Sequence, residues 1–84
     1  MEIEHQAQHD RFIHRCGDQI SVLEYTLTGG HIDFAHTFVP VQLRGRGIAE
    51  RLVRYGLGWA RDQGFVINAS CWYVRRFLRH GTGC

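Results

Sequence analysis

RGRGIA, at residues 44–49, is the stretch that decides the fold of this chain. It follows an apolar, strand-like run at residues 32–39 and opens the longest helical pattern in the sequence. Glycine lets the backbone turn sharply and approach a ligand closely, and the free N–H groups of a helix N-terminus attract an anion. We call this stretch the phosphate loop, because it predicts a phosphate or pyrophosphate site between a strand and a helix.

Two common classes of phosphate-binding protein do not match the residues around this loop. A P-loop has Lys-Ser or Lys-Thr after its glycines, whereas Gly47 is followed by Ile48 and Ala49. A dinucleotide-binding fold needs a doubled sheet, and a chain of 84 residues is too short for one. Neither class explains the loop.

The loop resembles the acyl-CoA pyrophosphate loop of the GNAT acyltransferase superfamily, whose pattern is Gln/Arg-x-x-Gly-x-Gly/Ala. Arg44, Gly47 and Ala49 occupy its three fixed positions. The resemblance covers residues 11–80 and implies an acetyl-CoA-dependent N-acetyltransferase without a metal ion. The segments most similar to the small stand-alone YjdJ-type branch of that superfamily are residues 36–40 before the loop and residues 66–67, Cys71 and residues 73–74 after it.

The composition predicts one small soluble domain that spans residues 1–84. Hydrophobic residues make up 44% of the chain and charged residues 21%, which is ordinary globular usage. No run is apolar enough to span a membrane, and the start does not have the pattern of a signal peptide, so we expect a cytoplasmic protein. The three cysteines, Cys16, Cys71 and Cys84, show no metal-ligand spacing and argue against a disulfide framework.

The positive charge is concentrated in the second half of the chain. The formal net charge is only +2, but all ten basic residues are arginine and most of them lie from Arg44 onward. Arginine presents a planar fork of donors that suits phosphate, although a solvated helix face is the commoner reason for any single arginine. The distribution agrees with an anionic cofactor and leaves nucleic acid as a less favoured partner.

Hydrophobic patterning predicts a mixed α/β fold, and the resemblance implies that this fold is of the GNAT type. Strand patterns at residues 12–13, 20–25 and 31–39 are separated by glycine-containing turns, which predicts an antiparallel meander of three or four strands. Apolar residues then recur at helical spacing from Ile48, over about four turns, to a left-handed cap at Gly64. A buried strand at residues 65–69 completes a parallel βαβ unit. A short helix at residues 72–80 ends the pattern.

The resemblance also implies where the cofactor would lie. In that superfamily the two parallel strands splay apart, the pantetheine arm runs between them, and a backbone N–H near Val39 polarises the thioester carbonyl. Asn68 and Tyr73 are secondary candidates, the first to bond the pantetheine amides and the second to protonate the leaving thiolate. A tyrosine after a strand more often packs with its hydroxyl satisfied, so a structural role stays open for both. The remaining cofactor contacts implied are the main chain of Phe38, Val39 and Leu43, and the loop residues Arg44, Gly45, Arg46, Gly47, Ile48 and Ala49.

His36 is the implied general base, because imidazole titrates near neutral pH and can accept a proton from an attacking amine. Strand alternation predicts that His36 shares a face with Ile32, Phe34 and Phe38. From the residues alone, a buried, hydrogen-bonded core histidine is therefore the favoured interpretation. With the family resemblance, the role of general base is the favoured interpretation of His36.

Cys71 follows the second parallel strand and is expected to line the same site. A buried free cysteine often behaves as a small hydrophobe, so a purely structural role is open. A nucleophilic role is also open, although acyl transfer in the superfamily usually proceeds by direct attack of the amine. Direct transfer is the predicted route.

Departures from the family lie at the cofactor or acceptor end. Trp72 stands where proline is usual, Phe77 where tyrosine is common, and residues 81–84 replace the usual His-Pro-Glu-Tyr ending. The first hypothesis is an N-acetyltransferase for a small-molecule or protein amine, acting as a monomer or weak dimer. The alternatives are a CoA-binding module without turnover and a nucleic-acid-binding domain.

Overall fold

The computed structural model describes the backbone of residues 2–82 and the side chains of residues 2–78, so Cys84 lies outside the described residues. The elements, in chain order, are β1 (Glu4–Gln6), a 3-10 turn (Ala7–His9), β2 (Arg11–Cys16), β3 (Gln19–Thr28), β4 (His31–Phe38), a second 3-10 turn (Val41–Leu43), α1 (Ile48–Gln63), β5 (Val66–Ala69) and α2 (Trp72–Thr82).

The strands form one mixed sheet with the order β1-β2-β3-β4-β5. Neighbours from β1 to β4 are antiparallel, whereas β4 and β5 are parallel. Gly17 and Gly29 turn the two longer hairpins with φ values of 62° and 60°, which favour glycine. The predicted mixed α/β fold is confirmed, and the meander has four strands because β1 pairs with β2.

Helix α1 packs its apolar stripe on the sheet, and Gly56 lies at the closest approach. A Cβ added at Gly56 would meet Leu23 Cδ2 at 2.8 Å and Phe34 Cε1 at 3.1 Å, so the sheet leaves no room for a side chain there. Gly64 ends the helix with φ 78°, and its N–H bonds the carbonyls of Ala60 and Arg61. The predicted left-handed cap is confirmed.

Both helices of residues 2–82 pack on the same face of the sheet. Val74 of α2 is fully buried in the core that Leu52 and Val53 of α1 form with Leu23 and Phe34 of the sheet. Neither helix has both the length and the apolar character that crossing a membrane requires.

The opposite surface of the sheet we call the open face. On β3, Leu23 and Tyr25 are buried against α1, so the alternating residues point the other way. The side chains that define the open face are Ile20, Val22 and Glu24 of β3 together with His36 and Phe38 of β4.

A bulge in β4 reverses which side chains face the helices. Tyr25 pairs with Phe34 and Glu24 pairs with His36, so Ala35 is an extra residue on β4. Before the bulge, Ile32 and Phe34 are fully buried; after it, His36 is exposed and Phe38 is 45% exposed. The prediction that His36 shares a face with Phe34 is wrong, because one inserted residue shifts the period-2 alternation.

Candidate functional site

The parallel pairing of β4 and β5 ends halfway along β4. Its last pair is Phe34 with Ala69, and the N–H of Cys71 then donates to the carbonyl of Phe34 at 3.1 Å. Beyond this point β4 remains paired with β3 only. A cavity of about 590 Å³ lies beside this freed part of β4. Its lining residues are Ala35, His36, Thr37, Phe38, Val39, Arg44, Ala49, Ser70, Cys71, Trp72 and Tyr73.

The phosphate loop forms the next part of the same surface. Gly45 and Gly47 have φ values of 82° and 78°, and a Cβ at either would meet no atom within 4 Å, so backbone conformation and not packing favours glycine. The first main-chain bond at this helix end runs from Arg51 N–H to Gly47 O, at 3.1 Å. The N–H groups of the first turn therefore have no partner within the helix, which is the arrangement that binds anions.

A second cavity, of about 220 Å³, lies over this loop. It shares Val39, Arg44, Ala49 and Tyr73 with the larger cavity, so the two adjoin. One continuous surface thus leads from a helix N-terminus to the space beside β4.

Arg44 joins the loop to the end of β4. Its Nε donates to the carbonyl of Val39 at 2.9 Å, and its side chain lines both cavities. The bond uses one donor of the guanidinium to fix the position of Val39. Arg44 therefore has a structural function in addition to the predicted contact with phosphate.

His36 lies on the open face at the wall of the larger cavity. Its cross-strand partner on β3 is Glu24, which is also exposed. The exposed position of His36 rules out the buried-core interpretation. The imidazole is placed to meet solvent or a ligand.

Cys71 occupies the N-cap position of α2, since its carbonyl accepts the N–H of Arg75 at 3.1 Å. Its sulfur lies 3.6 Å from Thr37 Oγ1, across the gap between the strands. Partial burial alone would raise the pKa of this thiol, but hydrogen bonds from the N–H of Val74 and from the hydroxyl of Thr37 outweigh that effect. With further N–H donors from Tyr73 and Thr37, the pKa is lowered.

Tyr73 lies where the two cavities meet. Burial is the largest cause that raises the pKa of its phenol, and the nearby carboxylate of Glu50 raises it further. Arg76 and Arg54 act in the opposite direction and only partly offset the rise. The hydroxyl therefore carries its proton at neutral pH and can act as a donor.

Most of the predicted site residues line one of the two cavities, with two exceptions. Asn68 lies in the paired part of β5, where it faces Asp33, and it lines neither cavity. Arg46 is exposed in the loop and also lines neither. Residues that sequence reasoning missed in the larger cavity are Ala35, Thr37, Ser70 and Trp72.

Comparison with known proteins identifies the family. A sequence profile described as GCN5-related N-acetyl-transferase matches residues 11–82. Protein NATD1 of Mus musculus is 32% identical over 83 residues, which cover 94% of this chain and 74% of that protein. Protein NATD1 of Bos taurus is 34% identical over 83 residues, which cover 94% of this chain and 73% of that protein. Protein NATD1 of Homo sapiens is 32% identical, with the same two shares of 94% and 73%.

This chain belongs to the GCN5-related N-acetyltransferase family. The predicted resemblance is confirmed, and family membership supports a function of the acyltransferase type.

Proposed function

We propose that this protein transfers an acetyl group from acetyl-CoA to an amine. The observation that carries the proposal is the gap between β4 and β5, which adjoins a glycine-rich helix N-terminus. Such an end can hold a pyrophosphate, and the freed edge of β4 offers main-chain groups to an extended arm. Family membership supports the same activity.

The residues present fit each part of the cofactor. Phosphates meet the free N–H groups of Ile48 and Ala49 at the start of α1. Thr37 N–H bonds the Cys71 sulfur, so it points into the gap. N–H groups alternate in direction along a strand, and Val39 follows directly after the end of β4. We therefore infer that the N–H of Val39 points into the gap as well. That N–H is the donor we assign to the thioester carbonyl, whose oxygen gains negative charge as the amine attacks.

Direct transfer is the proposed route. His36 accepts the proton of the amine as its nitrogen attacks the acetyl carbonyl, and the carbon–sulfur bond then breaks. Tyr73 donates its phenolic proton to the departing thiolate, which is consistent with the raised pKa of its hydroxyl. The products are an N-acetyl amide and the free thiol of CoA.

A covalent route through Cys71 is the second candidate, and the lowered pKa of its thiol favours it. The thiolate would attack the acetyl carbonyl and release CoA, and the amine would then take the acetyl group and restore the thiolate. The hydrogen bonds that stabilise this thiolate also make its lone pairs less available, because nucleophilicity falls as pKa falls. For this reason direct transfer remains our proposal.

Ligand-induced thermal stabilisation tests acetyl-CoA binding. At 100 times the dissociation constant a ligand adds about 2.7 kcal/mol to the free energy of unfolding, so the melting temperature should rise by about 10 °C or more. Gly47→Glu should abolish the rise, because its carboxylate occupies the phosphate site and repels phosphate. Gly29→Glu is the matched control, since Gly29 also has positive φ but lies in a remote hairpin. A parent protein that acetyl-CoA never stabilises would refute the proposal.

Intact-protein mass spectrometry separates the two routes. After rapid mixing with acetyl-CoA, direct transfer leaves the enzyme mass unchanged while the amine gains an acetyl group. An acetyl adduct that forms quickly on Cys71 and is discharged by amine would establish the covalent route. Binding without transfer to any amine would instead identify a CoA-binding module.

A further inference from the structure

His5 is the residue of β1 whose side chain contacts the core under α1. Because side chains alternate along a strand, its neighbours Glu4 and Gln6 face the opposite surface. The His5 ring stacks on Phe12, with 4.2 Å between the ring centroids and an interplanar angle of 18°. It also meets the ring of Trp59 edge-on, with 4.5 Å between centroids. His5 therefore joins the first strand of the sheet to the long helix.

A short hydrogen bond connects the same ring to β3. His5 Nε2 and the hydroxyl oxygen of Tyr25 lie 2.6 Å apart, and Tyr25 is only 3% exposed. Burial, and to a smaller extent the charge of Asp10, raises the pKa of this phenol, so the hydroxyl keeps its proton near neutral pH. A neutral imidazole can accept that proton at Nε2. The uncharged form of His5 thus satisfies a hydroxyl that has little access to water.

β1 is an edge strand that pairs with β2 alone, through three residues. A short strand near a chain terminus opens at a low cost in free energy, because few contacts must break. On the opposite surface, Arg11 Nε donates to Gln6 Oε1 at 2.6 Å. Neither of these two side chains changes its charge near neutral pH. His5 is therefore the residue through which a change of pH near neutrality can act on β1.

The surroundings of His5 affect its protonation in opposite directions. Burial is the largest influence and lowers the pKa of the imidazole, whereas the carboxylate of Asp10 raises it and only partly offsets the burial. On β2, His14 follows Phe12 on the same side of the strand and adds a positive charge when it is protonated. His9, in the 3-10 turn, is exposed. The rings that β3 and α1 place against His5 are uncharged near neutral pH.

We propose that His5 is a pH-dependent latch, which holds β1 and the 3-10 turn (Ala7–His9) on the sheet when it is neutral and releases them when it is protonated. An imidazolium has two N–H donors and no acceptor, so it cannot accept the proton of the Tyr25 hydroxyl, and its charge is costly among aromatic rings. In the released strand the imidazole is solvated. The docked strand therefore has its full stability above about pH 6.5 and loses stability as the pH falls below that value. The latch does not depend on acetyl transfer.

Hydrogen exchange of the amides that link β1 to β2 tests the latch. Protection factors, corrected for the intrinsic pH dependence of exchange, are compared at about pH 7.5 and about pH 5.5, on either side of the ordinary histidine pKa of about 6.5. NMR titration of the His5 ring gives its pKa, with a free histidine peptide measured under the same conditions. Protection of β1 should fall at the lower pH, by up to about tenfold for each unit by which the pKa of His5 lies below that of the peptide. The amides that link β3 to β4 should keep their protection.

Three variants identify the group that titrates. His5→Phe keeps an aromatic ring but cannot bind a proton, so it should abolish the pH dependence of β1 protection. His31→Phe is the matched control, because His31 is exposed at the start of β4, and it should leave that pH dependence unchanged. Tyr25→Phe removes only the hydroxyl, so it should lower β1 protection at neutral pH by about fivefold, the effect of an ordinary hydrogen bond.

Each other outcome overturns the latch. A pKa of His5 equal to or above that of the peptide would remove the free energy that drives release. A pH dependence that persists in His5→Phe would assign the release of β1 to another group. Equal loss of protection in all strands at the lower pH would mean that the whole domain unfolds and that β1 is not released separately. If His5→Phe does not fold, the parent still decides, because the fall in β1 protection must match the measured pKa of His5.

Discussion

The two halves of β4 differ in pairing, burial and chemistry, although they are continuous in sequence. The first half, up to Phe34, bonds β3 on one side and β5 on the other, and Ile32 and Phe34 are fully buried. The second half, from His36, bonds β3 alone and faces a cavity on its freed edge. One extra residue, Ala35, separates the half that stabilises the fold from the half that is available to a ligand.

The clearest test of this division compares two phenylalanines on the same strand. Phe34→Ala should destabilise the protein by about 3–5 kcal/mol, because it leaves a cavity in a packed core. Phe38→Ala removes the same atoms from a side chain that is 45% exposed, and it should cost about 1 kcal/mol or less. Urea unfolding measures both. Complete loss of cooperative unfolding in Phe34→Ala agrees with the expectation, whereas equal costs at the two positions contradict the division.

The second test measures the rate of acetyl transfer, whereas the first measures stability. His36→Ala should lower the rate of acetyl transfer by about 10², since a general base typically contributes that much. The free energy of unfolding should change by no more than about 0.5 kcal/mol, because His36 is exposed. Affinity for acetyl-CoA should be retained.

His31→Ala is the control for this change. His31 is exposed on the same strand, in the half that pairs with β5, and it lines neither cavity. Its replacement should leave the transfer rate unchanged. A similar loss of rate in both variants would show that the position of His36 beside the cavity is not what matters.

The third test follows the thiol on the other side of the gap. The pKa of Cys71 is lowered, so its reactive thiolate persists to lower pH than that of an unperturbed thiol. In a protein with Cys16 and Cys84 replaced by serine, iodoacetamide should modify Cys71 with a midpoint pH below that of a free cysteine peptide measured under the same conditions. Thr37→Val removes one hydrogen bond to the sulfur, so the midpoint should rise.

The variant Cys71→Ser tests whether the reactive thiol takes part in acetyl transfer. Cys71→Ser should retain most of the transfer rate, because direct attack needs no thiol. An inactive, folded Cys71→Ser variant that still binds acetyl-CoA would favour the covalent route instead. A midpoint pH for Cys71 at or above that of the free cysteine peptide would remove the physical argument for that route.

The difference between the two halves of β4 also shows which features the sequence could predict. Glycines at 47 and 64 bound α1, and the strand patterns mark β2 to β5, because turns and alternation leave local signals. The bulge left no such signal, since Ala35 fits either side of a strand. Thr37 therefore could not be predicted to meet Cys71, and His36 was assigned to the wrong face.

The position of Asn68 relative to the cavities depends on contacts between residues that are far apart in the sequence. Asn68 was predicted to bond pantetheine, but it lies in the paired part of β5, and the strands separate only after Ala69. Where two parallel strands stop pairing depends on the bond from Cys71 N–H to Phe34 O. No pattern within either strand specifies that bond. Gly45, Gly47 and Ile48 could be predicted to lie on one surface, because a glycine-rich helix start is a local pattern.

The smallest expected effect lies in α1, where two glycines occupy a helix interior for different reasons. Gly58→Ala should stabilise the protein by up to about 1 kcal/mol, because alanine is the better helix former and a Cβ at this position meets no atom within 4 Å. Gly56→Ala has the same intrinsic gain but places its Cβ 2.8 Å from Leu23 Cδ2 and 3.1 Å from the ring of Phe34. It should not share the stabilisation, since the paired half of β4 is held in the packed core. Thermal unfolding of both variants decides the point: two equal rises in melting temperature would mean that the core under α1 yields easily and that the rigid half of β4 is less constrained than its burial indicates.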